Sequence, residues 1–191
     1  MSGSATSSTT NLGKRIFDEL SRGNEVILVR SSVTSYFTAV SEILRLLTSI
    51  SKGIYVSLSK PCPSIKRQLE RDGVNVRNII FVDCATRQFS SETVESGGCM
   101  FIESPNPVQI AVYVERAMDM VDSELKFVYM DSLSTIALYK SPETLLKFMR
   151  QLTGRIRAKG FKGIIVVVEN EIEPPYFAQL SLMCDSVVEV G

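Results

Sequence analysis

Short, uninterrupted apolar runs recur along this chain and constrain its fold more than any other feature of the sequence. Val26–Val29, Ile79–Val82 and Ile164–Val168 are rich in β-branched residues and do not alternate with polar residues. Strands of this kind are typical of sheets whose two faces are both covered. Helical patterns, such as those over residues 37–50 and 145–156, alternate with these runs along the chain. The sequence therefore predicts an α/β fold with a doubly wound, mainly parallel sheet and helices on both faces.

The length of the chain fits a single domain. Its 191 residues contain no internal repeat and no linker that would divide them. Residues 1–10 are small and polar, which predicts a disordered N-terminal tail before an α/β domain over residues 11–191. Residues 84–98 have weak periodicity and end on two glycines, which predicts a loop or flap.

Prolines set several of the predicted boundaries. Pro61 and Pro63 allow no helix before about Ser64, and Pro174 and Pro175 are expected to open an irregular segment. Both proline segments are interpreted as stiff loops. The first is expected to be a connector, and the second, which is rich in aromatic residues, is either a connector or a contact surface.

The composition excludes several classes of chemistry. The chain has no histidine, which excludes Ser-His-Asp and Cys-His nucleophile pairs and histidine metal sites. Acidic and basic residues balance at 21 each, so nothing favours nucleic acid or an anionic membrane as a partner. No apolar run is long enough to span a bilayer and no signal peptide is visible, so a cytoplasmic protein without a membrane partner is predicted.

The four cysteines do not form a metal-binding pattern. Cys62, Cys84, Cys99 and Cys184 are scattered, and no two of them have the spacing of a C-x-x-C pair. Scattered thiols in a cytoplasmic chain of this size are expected to be reduced and mostly buried. No metal site is predicted.

One strand ends on a carboxylate. The run Phe127–Asp131 has the form of a Walker B strand, whose terminal aspartate helps to hold Mg²⁺ beside bound phosphates. The loop that would hold those phosphates is missing, because no glycine lies between Gly23 and Gly53. The sequence thus combines one part of a nucleotide site with the absence of another.

Four segments, in order and at similar spacing, carry a family likeness. Residues 12–29 correspond to the approach to the phosphate loop, 55–58 to the second strand, 127–133 to the Walker B strand and 184–190 to the closing strand. On these segments the chain resembles the RecA-like P-loop ATPases, and among them the KaiC-like branch. The resemblance implies a RecA-like fold, a tendency to assemble into rings, and an archaeal origin with a role in signal transduction.

The chemistry of that family does not carry over. Its phosphate loop needs glycines, whose backbone N–H groups wrap the phosphates, and a lysine. The matching stretch here is Arg30–Thr38, in which Tyr36 or Phe37 stands at the lysine position. The catalytic glutamate that the family has after its second strand is replaced by Ser59-Lys60. The resemblance therefore implies an inactivated member that is not an enzyme and holds no cofactor.

Several polar residues of the degenerate cleft are candidates for ligand contacts. Arg30 can replace the lost lysine, but a salt bridge with a nearby acid such as Asp131 is the preferred interpretation. Asp131 can hold a metal ion, but the favoured alternative is that it caps the next helix or bonds to the serine-rich loop. Hydroxyls in that loop can bind a small anion or cap the helix. The full set of candidates is Arg30, Ser31, Ser32, Thr34, Ser35, Asp131 and Ser132.

The preferred functional hypothesis is a non-catalytic domain that regulates or scaffolds other proteins. Its partners would be proteins, including further copies of itself or an active ATPase of the same fold. One alternative is a sensor that uses the degenerate cleft for a small ligand. The other is a cryptic ATP-binding protein with an atypical loop.

Overall fold

A computed structural model of the chain describes residues 12–86, 98–103 and 106–191, so the predicted tail at 1–10 and most of the predicted loop at 84–98 lie outside the described residues. The described strands are β1 (Val26–Ser31), β2 (Lys52–Ser57), β3 (Ile79–Asp83), β4 (Cys99–Phe101), β5 (Lys126–Asp131), β6 (Lys162–Val168) and β7 (Ser186–Val190). The described helices are α1 (Leu12–Ser21), α2 (Tyr36–Ile50), α3 (Cys62–Arg71), α4 (Pro107–Met120), α5 (Leu133–Ala137), α6 (Pro142–Ala158) and α7 (Pro174–Ser181). Within these ranges, none of the helices is both long and apolar enough to cross a membrane.

The strands form one sheet with the order β4-β3-β2-β5-β6-β1-β7. All of its neighbouring strand pairs are parallel, and helices connect successive strands except β3 and β4, whose connection lies mostly outside the described residues. This confirms the predicted doubly wound α/β fold, and the architecture is consistent with a RecA-like fold. The carboxyl ends of all the strands therefore meet at one edge of the sheet, where sites of such folds lie.

Each face of the sheet carries its own hydrophobic core. On one face, Val26 and Leu28 pack in a core with residues of α4 and α6, and we call this the α4–α6 face. On the other face, Ile27 and Val29 pack in a core with residues of α1, α2 and α3, and we call this the α1–α3 face. Because both sets of alternating side chains are buried, the strands read as continuous apolar runs.

Two of the predicted proline boundaries are wrong. Helix α3 begins at Cys62 and includes Pro63 in its first turn, and α7 begins with Pro174 and Pro175. The first N–H groups of a helix have no acceptor within it, so proline causes no loss there. The segment after Pro174 is therefore the start of a helix and not an irregular connection.

Gly53 lies inside strand β2. A Cβ atom on Gly53 would lie 2.4 Å from the carbonyl oxygen of Phe127 in the neighbouring strand β5. Only a residue without a side chain allows β2 and β5 to approach in this way.

A disulfide bond joins Cys62, at the start of α3, to Cys99 in the edge strand β4. The prediction of reduced thiols is wrong for this pair, because the fold brings Cα atoms 37 residues apart to within 6.4 Å. Asp83 fixes the same region: its buried carboxylate accepts hydrogen bonds from the backbone N–H groups of Cys62, Ala85 and Thr86 at 2.6 to 2.8 Å.

Candidate functional site

Asp131 lies at the carboxyl end of β5 and is only 3% exposed. The hydroxyl of Tyr55 donates a hydrogen bond to its Oδ2 atom. Its Oδ1 atom is buried and has no hydrogen-bond partner among the described residues. Burial raises the pKa of the Asp131 carboxyl from 3.8 to about 7, because a charge is poorly solvated there. The expectation that Asp131 caps the next helix or bonds to the serine-rich loop is wrong, because its partner is a tyrosine.

A row of aromatic rings crosses the α1–α3 face next to Asp131. Tyr55 and Tyr129 are paired residues of β2 and β5, and their rings stack with centroids 5.4 Å apart. Phe81 of β3 continues the row, 5.6 Å from Tyr55. All three rings are fully buried. This row was not predicted from the sequence, although tyrosines inside otherwise aliphatic strands could have indicated it.

The space in front of Asp131 is filled. Phe37, at the start of α2, lines it together with Val40 and Ile65, and the remaining cavity measures about 10 Å³. A cavity of that size is at the lower limit for a single water molecule. The Nζ atom of Lys60 lies 3.6 Å from the centroid of the Phe37 ring, which is a cation–π contact. Partial burial lowers the pKa of Lys60.

The serine-rich loop between β1 and α2 uses its hydroxyls within itself. The Ser31 hydroxyl donates to the carbonyl oxygen of Ser32 at 3.0 Å, and the Ser32 hydroxyl lies 3.1 Å from that of Thr34. The Oγ atom of Ser32 also accepts a hydrogen bond from the backbone N–H of Ser35 at 3.2 Å. Ser35 is the N-cap residue of α2, but its side chain makes no capping hydrogen bond. The loop is thus held by its own hydrogen bonds, and Val33 at its tip is 71% exposed.

Arg30 and Asp131 lie on opposite faces of the sheet. Arg30 points to the α4–α6 face, where it pairs with Glu189 at 3.2 Å and lies 5.1 Å from the centroid of the Phe177 ring. Asp131 follows Tyr129 in alternation and therefore lies on the α1–α3 face. The predicted salt bridge of Arg30 with a nearby acid is therefore confirmed, but the acid is Glu189 and not Asp131. The seven candidate residues do not form one cluster.

Ser132 begins a short helix that the sequence analysis did not predict. It is 6% exposed and is the N-cap residue of α5, without a capping bond from its side chain. Two residues later, the hydroxyl of Ser134 accepts a hydrogen bond from the backbone N–H of Val168 at 2.9 Å. This bond ties α5 to the carboxyl end of β6.

The described part of the chain shows no cluster of metal-binding side chains. Within residues 12–86, 98–103 and 106–191, no group of three or more cysteine, aspartate or glutamate side chains is arranged to hold one. Cys84 lies beside Asp83 at the end of β3, and burial raises the pKa of its thiol. A thiol that resists ionisation in this way is a weak nucleophile.

Comparisons with known proteins place the chain in a family and support its fold. The model of a family of unknown function, DUF7504, matches residues 23–190. Uncharacterised protein PH0321 from Pyrococcus horikoshii, solved in complex with an unknown peptide, is similar in structure with a TM-score of 0.63 and 17% identity, over 90% of this chain and 82% of that one. Protein PH0250 from Pyrococcus horikoshii OT3 has a TM-score of 0.62 and 12% identity, over 87% and 82% of the two chains. No curated protein matches significantly.

Proposed function

The chain belongs to DUF7504, a family of unknown function, and we propose that it is a non-catalytic RecA/KaiC-like domain that works as a regulatory or scaffolding protein-interaction module. Signal transduction is the proposed setting. The observation that carries this proposal is the narrow space beside Asp131, a cavity of only about 10 Å³ that the aromatic side chains of Phe37 and Tyr55 line. Fold alone does not define function, so the residues beside Asp131 have to support the proposal.

The residues of the cleft do not fit ATP. A bound triphosphate needs backbone N–H groups, a cation and room beside the end of β1. The cavity next to Asp131 measures about 10 Å³, and it is lined by Phe37, one of the two residues, with Tyr36, that the resemblance allows at the position of the phosphate-binding lysine. To admit a phosphate, Phe37 would have to leave the cavity and lose its contact with Lys60.

Asp131 does not fit Mg²⁺ either. Mg²⁺ binds ionised carboxylates that remain accessible to water, and it retains several water molecules in its shell. Asp131 is 3% exposed, and burial raises its pKa to about 7. Its Oδ2 atom already accepts a hydrogen bond from Tyr55. These features suit a buried structural carboxyl.

Two observations support a protein partner. Leu138 and Tyr139, after α5, are 66% and 78% exposed, which leaves large apolar side chains available for contact. PH0321, which has a similar fold, was solved in complex with an unknown peptide. We include further copies of this chain and an active ATPase of the same fold among the candidate partners.

A small-ligand sensor is the second candidate function. A cavity of about 320 Å³ next to Arg30 favours it, because it is roomy enough for a small molecule. Glu171 and Glu173 also line this cavity, so an anion would meet two carboxylates beside one guanidinium. The balance of charge therefore argues against a phosphate ligand there.

Calorimetric titration of the protein with ATP and Mg²⁺ tests the proposal. We expect neither heat of binding nor thermal stabilisation. A Phe37→Ala variant, in which the cleft is opened, gives a matched comparison in the same experiment. Saturable ATP binding by the wild type that Asp131→Asn weakens would refute the pseudo-ATPase proposal. Binding that Asp131→Asn leaves unchanged and Arg30→Ala abolishes would favour the sensor.

A further inference from the structure

A groove opens on the α4–α6 face, at the carboxyl edge of the sheet. Its volume is about 390 Å³, and it is bounded by the ends of β2 and β3, the start of α4, and α5 with the turn that follows. Leu58, Ile110 and Ile136 are among the residues that line it, and all three are buried members of the core on that face. The groove is therefore an indentation that reaches the hydrophobic core.

The rim of the groove exposes two large apolar side chains. Leu138 and Tyr139 are 66% and 78% exposed, and both line the groove. Their turn is fixed: the N–H of Leu138 donates to the carbonyl of Ser134 at 3.2 Å, and the N–H of Tyr139 donates to that of Ile136 at 3.1 Å. Because this backbone is already ordered, a partner would not have to supply the free energy of ordering it.

The described residues that line the groove carry a positive charge. Lys140 is the only charged side chain among the described residues that line it, and its ammonium group forms no ion pair with any described residue. Pro107, the first residue of α4, also lines the groove, so the positive end of that helix dipole lies beside it. No carboxylate is among the described lining residues. The complementary ligand therefore combines apolar side chains with a negative charge.

We propose that this groove binds a short peptide segment of a partner protein, in which an acidic residue lies next to one or two large apolar residues. The apolar side chains enter between Leu138, Tyr139 and Ile110, and the carboxylate pairs with Lys140. This inference rests on the proposed function as an interaction module and specifies the partner and the place. A polyanion is a poor match, since one lysine neutralises too few phosphates to hold a nucleic acid.

The test begins with selection from a random dodecapeptide library on the immobilised wild-type protein. The enriched peptides are then synthesised with a fluorescent label, and their Kd values are measured by anisotropy. We expect sequences in which an acidic residue neighbours large apolar residues. Changing the acidic residue of such a peptide to its amide should weaken binding about tenfold, the usual effect of losing a charge-assisted contact.

Variants locate the binding surface. Lys140→Glu and Leu138→Ala should each weaken binding of the enriched peptide about tenfold, as loss of a direct contact with the peptide does. The matched control is Leu182→Ala, since Leu182 is also an exposed leucine, at 86%, and does not line the groove. The Kd of the Leu182→Ala variant for the enriched peptide should stay within about twofold of the wild-type value. Far-ultraviolet circular dichroism checks that each variant is folded.

The outcomes separate this inference from the function it rests on. Enriched peptides that bind all three variants with wild-type affinity would overturn the assignment of the groove as the binding site, but not the proposed function as an interaction module. A failure to enrich any sequence over a blank surface would overturn the groove as a peptide site, and the ATP titration would still decide the pseudo-ATPase proposal independently. Light scattering could instead show a wild-type dimer that Leu138→Ala converts to a monomer. That result would identify a second copy of the chain as the occupant of the groove and overturn the proposal of a partner peptide.

Discussion

Replacing Asp131 with asparagine should remove a pH dependence from the stability of the fold. Burial raises the pKa of this carboxyl from 3.8 to about 7. Asparagine has nearly the same shape and can still accept the hydrogen bond from Tyr55. It is neutral at every pH, so the variant differs from the wild type mainly in having no proton to lose.

The sign of the effect follows from where the proton is bound. Between pH 3.8 and about 7 the carboxyl is ionised in the unfolded chain and protonated in the folded one. The unfolded state then binds fewer protons, so the free energy of unfolding of the wild type falls as the pH rises through this window. A difference of about three pKa units corresponds to at most about 4 kcal/mol. Above about pH 7 the Asp131 carboxyl is ionised in both the folded and the unfolded state, so its contribution to the free energy of unfolding no longer changes with pH.

The quantity to measure is the difference in unfolding free energy between Asp131→Asn and the wild type at each pH. The chain has no tryptophan, so urea denaturation is best followed by far-ultraviolet circular dichroism between pH 4 and 8. We expect the variant to gain up to about 4 kcal/mol relative to the wild type over this range. The other carboxyl groups are shared by both proteins, and their contributions cancel in the difference.

The control variant is Asp119→Asn. The Asp119 side chain is 67% exposed and pairs with Lys159, so its removal should change stability by less than about 1 kcal/mol at any pH. A difference between Asp131→Asn and the wild type that stays constant from pH 4 to 8 would refute the reasoning. It would mean that the Asp131 carboxyl ionises as in water and that the cleft in front of it is open.

Two further predictions concern the fold. Reducing the Cys62–Cys99 bond should lower the free energy of unfolding by about 4 kcal/mol, because the bond spans 37 residues. Guanidinium denaturation with and without dithiothreitol measures this loss, and equal midpoints would contradict the prediction. Gly53→Ala should destabilise by more than about 2 kcal/mol, because its Cβ would lie 2.4 Å from the carbonyl oxygen of Phe127. Gly154→Ala, inside α6 with nothing within 4 Å of its Cβ, should instead stabilise by about 0.5–1 kcal/mol, and similar melting temperatures for both variants would count against the close approach at Gly53.

The sheet could be predicted from the sequence because its signal is local. A strand buried on both faces needs apolar residues at every position, and β1 and β6 show this directly. The starts of α3 and α7 were missed because proline disrupts a helix only beyond its first turn. A proline cluster therefore does not distinguish a loop from a helix start.

The cysteine pair was missed for a different reason. Cys62 and Cys99 are 37 residues apart in sequence, and only the order of strands in the sheet brings them together. Strand β3 pairs with β4, and α3 packs over the same face. Neither fact has a signature in the spacing of the cysteines.

Arg30 and Asp131 show why two residues that were predicted to meet can lie apart. Arg30 and Asp131 both lie at carboxyl ends of strands, which is all that the sequence could establish. Whether they meet depends on the side to which each alternating side chain points, and this is set by register across the intervening strand β6.

The same alternation divides the carboxyl edge of the sheet into two different surfaces. On the α1–α3 face, Phe37 and Tyr55 line a cavity of only about 10 Å³ beside Asp131, and Tyr55 donates a hydrogen bond to that carboxyl. On the α4–α6 face, the groove beside Tyr139 and Lys140 stays open. Burial of the Tyr55 ring beside Asp131 stabilises the domain. The packing around Asp131 leaves the other face unchanged, so the proposed partner groove and the buried carboxyl can be tested independently by mutation.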